Sequence, residues 1–269
     1  MAANSWWRAG FVARLAVAYF KVNLASAMEY RVAFFAQSVG MMVNDSLFLI
    51  FWWAYFERFG HVGGWTLADT VALYGLVALV IGLAVVLFGN CTRLALLIAE
   101  GQLDYCLVLP GSPLLHLLTS RMGLAGWGDI VFGISCLAIG ALLGSVPFGL
   151  AFVFTVTGTA IAVGYLTLLG SLAFFMGNAE ATTFQARDSL VNFSLYPSPI
   201  FRGWTKVLLL TVVPAAFLAH IPVELMRQFD PGLMAGLVAF TVGLWIAASV
   251  FFNFGLRRYE SGNLIAMRS

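Results

Sequence analysis

The 269-residue chain is 61% hydrophobic and 10% charged, with a mean hydropathy of +0.94 and a formal net charge of +2. A soluble domain carries about 25% charged residues to cover its surface, and these apolar residues exceed what one core can bury, which excludes a soluble enzyme. The small net charge, with no basic cluster interleaved with aromatics, excludes nucleic acid as a partner.

No cleavable signal is expected at the start, because Trp6 to Tyr30 contains Arg8, Arg14 and Lys21 and holds no apolar core followed by a clear small-residue cleavage site. Val12, Leu15, Tyr19 and Val22 recur at helical spacing, while Arg14 and Lys21 share another face. Such a segment reads as an interfacial helix lying on membrane lipid, its basic side toward anionic headgroups. A cytosolic extension of the first span is the plainer reading.

Apolar blocks long enough to cross about 30 Å of hydrocarbon occur at 32–56, 70–89, 117–143, 148–176, 203–222 and 232–255. The connections 57–69, 144–147 and 223–231 are short, whereas 90–116 and 177–202 are longer and polar. The expected fold is therefore an all-α membrane protein of one domain: six transmembrane helices, the N-terminal interfacial helix, and a broken or re-entrant helix around span five. That break is expected from Pro214 and Pro222, each of which removes a backbone donor that hydrocarbon cannot replace.

Orientation follows from the retention of Lys and Arg on the cytoplasmic side. With both termini inside, Arg8, Arg14, Lys21, Arg31, Arg93, Arg121, Arg187, Arg202, Lys206, Arg257, Arg258 and Arg268 are cytoplasmic, against Arg58 and Arg227 outside. Twelve against two makes this a multi-pass protein with cytoplasmic ends.

No GxSxG, HExxH or GxxxxGK[ST] occurs, so neither hydrolase chemistry nor a P-loop is expected. Cys91, Cys106 and Cys136 lack metal spacing and are expected as free thiols. His61 and His220 fall outside on this topology and read as loop residues rather than metal ligands. Gly140 and Gly144 form a GxxxG in span three after Gly123, Gly126 and Gly128, which intramolecular packing explains as well as dimerisation does.

Two acids fall within spans, Asp45 and Asp129. A carboxylate at mid-bilayer costs a few kcal/mol and faces the bundle interior or a cavity. It lies on a translocation route, or it makes a structural hydrogen bond with Asn44 or Trp127 helping; the sequence favours the structural role, since no His or Arg partner is evident. The loop 90–116 is longer than a turn requires. Leu94, Leu97 and Ile98 make a short apolar stripe, Glu100 and Gly101 end it, and a second segment over 102–109 closes at Pro110 and Pro113. Glu100 and Asp104 share a face of a continuous helix, or Gly101 turns the chain and presents Glu100 at a tip.

The chain resembles ABC-2 type permeases, the membrane subunits of ATP-binding-cassette exporters. The resemblance spans nearly the whole length. It is most specific at Glu29, Tyr30 and Arg31, at Glu100, Gly101, Gln102, Leu103 and Asp104 with Leu109 and Pro110, at Tyr196 and Pro197 with Ile200 and Phe201, and over 255–263. It is nearest to a bacterial subgroup whose substrates are mostly unassigned. It implies a coupling helix in the loop after span two, here Glu100 to Pro110, docking on separate ATPase subunits. It also implies a second permease subunit, identical or paralogous, and location in the bacterial plasma membrane. ATP and Mg would be bound by the ATPase partner, with no cofactor and no catalysis in this chain. The family's ligand cavity has no fixed motif, so the resemblance names no substrate. A secondary transporter or channel working without an ATPase is the rival; it predicts paired ionisable groups or an inverted repeat in the spans.

Overall fold

The computed structural model describes residues 5–142, 146–176, 179–201 and 203–259; Gly144 of the GxxxG and the last four residues of the 255–263 ending lie outside them. Twelve α-helices carry the described chain: α1 (Ser5–Glu29), α2 (Arg31–Phe59), α3 (Leu67–Leu87), α4 (Leu94–Ala99), α5 (Leu103–Leu107), α6 (Pro113–Thr119), α7 (Gly126–Leu142), α8 (Phe148–Gly170), α9 (Glu180–Ser194), α10 (Trp204–Thr211), α11 (Ile221–Arg227) and α12 (Pro231–Leu256). Five helices are long and apolar enough to cross a membrane, or six when the bent pair over 204–227 counts as one.

Helix α3 is the axis of the bundle. Thr66 caps it in a reciprocal capping box with Asp69, which satisfies two of the orphan amides of the first turn. It is apolar on every side because α7 and α8 pack against it. The α3–α7 seam is built from glycine. A Cβ at Gly82 would sit 2.8 Å from the Gly126 carbonyl oxygen, and one at Gly133 would sit 2.6 Å from the Leu79 nitrogen. Backbones this close maximise dispersion where no hydrophobic effect drives association. Gly123 and Gly128 are spent the same way, against Val85 and the Ser38 carbonyl. These glycines thus serve packing within the chain.

The α2–α3 turn and the α4–α5 hairpin mark opposite ends of α3. Helix α12 runs along α8, tied by Trp245 Nε1–H donating to the Ala160 carbonyl at 2.9 Å. Helix α1 crosses the α4–α5 end rather than passing through the bundle. Its Tyr19 meets His116, its Asn23 amide donates to the Thr119 carbonyl, and its Phe20 packs near Trp127.

Two expectations are corrected. Residues 117–143 are not one helix: α6 ends at Thr119 and α7 begins at Gly126. The intervening chain pairs with the end of α3 through Gly89 N–H to Arg121 O and Gly123 N–H to Val85 O. Nor is 177–202 simply a loop. Helix α9 starts beside the α4–α5 hairpin, where Ala179 is buried with Leu94 and Leu97. It delivers Tyr196 to Trp52 and Pro199 to Gly63 near the α2–α3 turn. It therefore runs the length of the bundle, beside α3 and α8. Glu180, Gln185, Arg187, Asp188 and Asn192 keep its hydropathy low, which hides it from an apolar-block reading.

The stretch expected as a broken or re-entrant span five is the bent pair over 204–227. Pro214 separates α10 from the second arm, and the two arms meet at 80°. Pro222 cannot donate to the Leu218 carbonyl, and the chain widens into a π-turn over Ala216–His220 ahead of it. Leu218 lies against Gly158, level with the middles of α3 and α8, while Arg227 returns to the α2–α3 turn. The pair enters near Pro199 and leaves near Gly64, at the same end.

Candidate functional site

The α4–α5 hairpin has a buried base and a projecting tip. Leu94, Leu97, Ile98 and Leu103 pack with Leu117, Ala173 and Phe252, the last on α12. Helix α4 stops at Ala99, and Gly101 at φ 74° turns the chain so that α5 begins at Leu103. A Cβ disfavours that left-handed region, hence the glycine. Of the two forms the sequence leaves open, the turn is adopted. Glu100 and Gln102 are exposed at the tip, where the Gln102 amide donates to the Glu100 carboxylate at 2.8 Å.

The hairpin residues separate by role. Leu103 is fully buried. Asp104 is engaged by this chain: the Tyr259 hydroxyl donates to its carboxylate, and burial together with that bond pushes the Tyr259 phenol up to about 12. Pro110 contributes its carbonyl, which accepts from His116 Nε2–H at 3.1 Å and leaves Nδ1 to accept from the Tyr19 hydroxyl at 2.8 Å. His116 so joins α1 to the end of the hairpin. The most exposed apolar side chains here are Tyr105 at 72% and Val108 at 79%. Sequence reading singled out neither, because an apolar residue in a loop carries no signal until its base is seen to be buried. Tyr259 sat inside the recognised ending without an assigned contact.

Asp45 and Asp129 are brought together. Asp45 comes from the middle of α2 and Asp129 from the first turn of α7, and their carboxyls lie within hydrogen-bonding reach of each other. Ionised carboxylates only accept, so this contact requires a proton between them. Trp127 does not join them; its Nε1–H points to the Met122 sulfur at 3.4 Å. Arg187 of α9 is within electrostatic reach of Asp129. No ion pair under 4 Å joins the two among the described residues. The pairing links residues far apart in sequence, on helices held by the Gly128–Ser38 contact, and so is invisible to spacing.

Beside the pair, α2, α3 and the end of α9 enclose a cleft of about 500 Å³ that includes Asn44, Phe51, Trp52, Tyr74 and Tyr196. Trp52 is fixed there by donating to the Tyr74 hydroxyl at 2.8 Å. His220 is not a loop residue: it is buried, and its Nε2–H donates to the Tyr196 carbonyl at 2.9 Å, fastening the bent pair to the end of α9. Arg227 fastens the other arm, donating to the Gly64 carbonyl at 2.9 Å and pairing with Asp69 at 3.4 Å.

Cys91, Cys106 and Cys136 are buried free thiols; burial pushes Cys91 up to about 12. No group of three or more His, Cys, Asp or Glu capable of holding a metal occurs among the described residues.

No curated protein and no solved structure gives a significant match to the chain. The family model described as ABC-2 family transporter protein matches residues 42–262, from α2 through the C-terminal ending. The chain therefore belongs to the ABC-2 family of transporter membrane proteins, which are typically non-catalytic permeases.

Proposed function

We propose that this chain is the permease subunit of an ATP-binding-cassette exporter in the bacterial inner membrane, working by alternating access. Two permease chains, identical or paralogous, pack together above two ATPase subunits that hold the ATP and Mg. Nucleotide binds one conformation better than the other, which is how a ligand shifts such an equilibrium. Helices α2, α3, α7, α8, α9 and α12 are the six crossings in this reading, and α1 lies along the cytoplasmic surface. Among the described side chains, Arg14, Lys21, Arg31, Arg93, Arg121, Arg257 and Arg258 fall toward the α4–α5 end, and Arg58, Lys206 and Arg227 toward the other. Seven against three supports a cytoplasmic α4–α5 end.

The observation that carries the reading is the hairpin itself, with four leucine or isoleucine side chains locking its base and Tyr105 and Val108 exposed along its second arm. An apolar pair displayed on a rigid support is a docking feature when a groove covers it. Each side chain so covered contributes about 1.5–3 kcal/mol. Glu100 and Gln102 flank the pair and form its polar rim. Because Phe252 of α12 packs on the same base and Tyr259 holds Asp104, a push on the hairpin reaches α12 and α8 as well.

The test is to purify the permease with its ATPase and to compare Tyr105→Asp with Val108→Asp. Both variants should insert and fold, and both should lose most of the co-purifying ATPase. Wild-type complex yield from both would sink the coupling assignment. The rival, a proton-coupled secondary transporter, draws support from the Asp45–Asp129 pair, but it gives the hairpin no task.

A further inference from the structure

We propose that a pocket between the end of α1 and the turn joining α6 to α7 holds a phosphate group, whose place in the fold suits the headgroup of an inner-leaflet phospholipid. The proposal rests on the reading above that α1 lies along the cytoplasmic surface, and it gives a ligand to a part of the chain with no assigned task. The pocket has a volume of about 350 Å³, which is small for a ligand site and takes a headgroup without its acyl chains. One wall is the end of α1 from Asn23 to Tyr30, where α1 gives way to α2; the other is the chain from Ser120 to Leu124. Ala27 and Met122 make a buried floor. The second wall is pinned from three sides. The Arg121 carbonyl accepts from Gly89 N–H at 3.1 Å, and the Leu124 carbonyl accepts from the Ser38 hydroxyl at 3.3 Å. The Asn23 amide ties the walls together by donating to the Thr119 carbonyl at 3.0 Å.

What the pocket leaves unspent is a set of donors. Arg121 is the one charged residue on its lining, exposed at the rim, and its guanidinium has no ion pair or hydrogen bond among the described residues. The hydroxyls of Ser26 and Tyr30 also have no partner there, and Asn23 uses one amide hydrogen and keeps the other. Ser120 is not available, because its hydroxyl donates to the Leu117 carbonyl and accepts from the Asn90 amide. A planar cation and three neutral groups able to donate therefore face one small space. The guanidinium fork matches two phosphate oxygens, and hydroxyl or amide donors take the others. A cationic ligand would meet Arg121 unfavourably, and a neutral one would leave its charge unanswered. Glu29 and Arg31 flank Tyr30 in the chain but do not line the pocket. Basic pockets at the cytoplasmic ends of membrane helices take lipid headgroups. The exposed side chains of Phe35 and Val39 follow on α2, an apolar surface along which acyl chains can lie. A headgroup seated here joins the surface helix α1 to the turn from which α7 starts.

The test uses the purified full chain, delipidated in a neutral detergent and followed by native mass spectrometry as dioleoyl phosphatidylglycerol, dioleoylglycerol or glycerol phosphate is added. The wild type should retain one phosphatidylglycerol that Arg121→Gln binds roughly tenfold more weakly, as expected for one lost charged hydrogen-bonding partner. Ser26→Leu fills the pocket from α1 without changing a charge; it should lose the same lipid, and it decides the matter even if Arg121→Gln folds poorly. Lys21→Gln removes a charge on the far side of α1 and should bind as the wild type does. Dioleoylglycerol, with the same chains and no phosphate, should not occupy the site. Glycerol phosphate identifies the source: competition with the lipid at equal concentration assigns the site to a free phosphate ester, and no competition assigns it to the headgroup. Equal phosphatidylglycerol binding by the wild type and both pocket variants, a loss that Lys21→Gln reproduces, or equal binding of dioleoylglycerol would overturn the proposal. A cysteine at Glu29 that reacts with an impermeant thiol reagent from outside the cell would count against the cytoplasmic placement of α1 instead, whatever the lipids do.

Discussion

Replacing Gly133 with alanine tests the packing that holds the cleft in shape. The new Cβ would lie 2.6 Å from the Leu79 nitrogen, 2.7 Å from the Gly75 carbonyl oxygen and 2.8 Å from the Leu79 Cβ. Ordinary contacts of a Cβ begin at 3.4 Å, so α7 must move off α3 by most of an ångström. Two of the opposing atoms are backbone, and no rotamer change relieves them. A gap of 0.5–1 Å elsewhere along the seam forfeits roughly a quarter to a half of each dispersion contact. Overpacking of this kind costs about 1–3 kcal/mol. Gly243→Ala is the control, because nothing lies within 4 Å of its Cβ position on α12. Its effect should stay within about 0.5 kcal/mol, as for surface substitutions away from packed features. Thermal unfolding in detergent, monitored by size-exclusion recovery after heating, measures both. Equal behaviour of the two variants would show that the α3–α7 seam tolerates separation, and the reasoning would fail.

The same geometry makes three further predictions. In a background lacking the native cysteines, a cysteine at Ser198 should react with an impermeant thiol reagent from outside the cell and one at Ser112 should not; a Ser198 thiol labelled only from inside would return 177–202 to the cytoplasm. Asp129→Asn keeps a hydrogen-bonding group toward Asp45 and should preserve yield, whereas Asp129→Leu strands the Asp45 carboxyl at a cost of about 1–3 kcal/mol and should lower it; equal yields would mean that the pair is not formed. Tyr259→Phe should leave ATPase association intact and weaken coupling of hydrolysis to transport. The Tyr259 phenol titrates near 12, above the ordinary value of about 10, so its bond to Asp104 is fully present below about 10 and lost only as pH rises through 12. Wild-type coupling should hence be flat from about pH 6 to 9, and a coupling loss in that window would remove Tyr259 from the path.

What the sequence could carry depended on whether a feature was local. Charge-poor apolar blocks announced α2, α3, α8 and α12, since each is nearly uniform along its length. Pro214 and Pro222 announced a break because proline acts on its own backbone. The hairpin was legible through the apolar stripe and Gly101. Helix α9 was not, because Arg187, Asp188 and Asn192 make it polar and its place in the bundle depends on neighbours that spacing does not reveal. The break in the 203–222 stretch was legible from its prolines as a broken or re-entrant helix; its 80° bend was not. Asp45 and Asp129 were singled out one by one, but their meeting depends on Gly128 admitting the α2 backbone. The outward aim of Tyr105 and Val108 emerges only once Leu103 and Cys106 are seen to fill the base.

The most direct test of energy-coupled alternating access needs no knowledge of the substrate. A cysteine at Phe48, on the cleft and in a background free of other thiols, would be probed with an impermeant reagent added to either face of proteoliposomes containing the permease and its ATPase. The account predicts labelling from the α4–α5 face without nucleotide and from the α2–α3 face after trapping with ATP and vanadate, with no such switch in liposomes lacking the ATPase. Labelling that ignores nucleotide, or a switch that occurs without the ATPase, would contradict it.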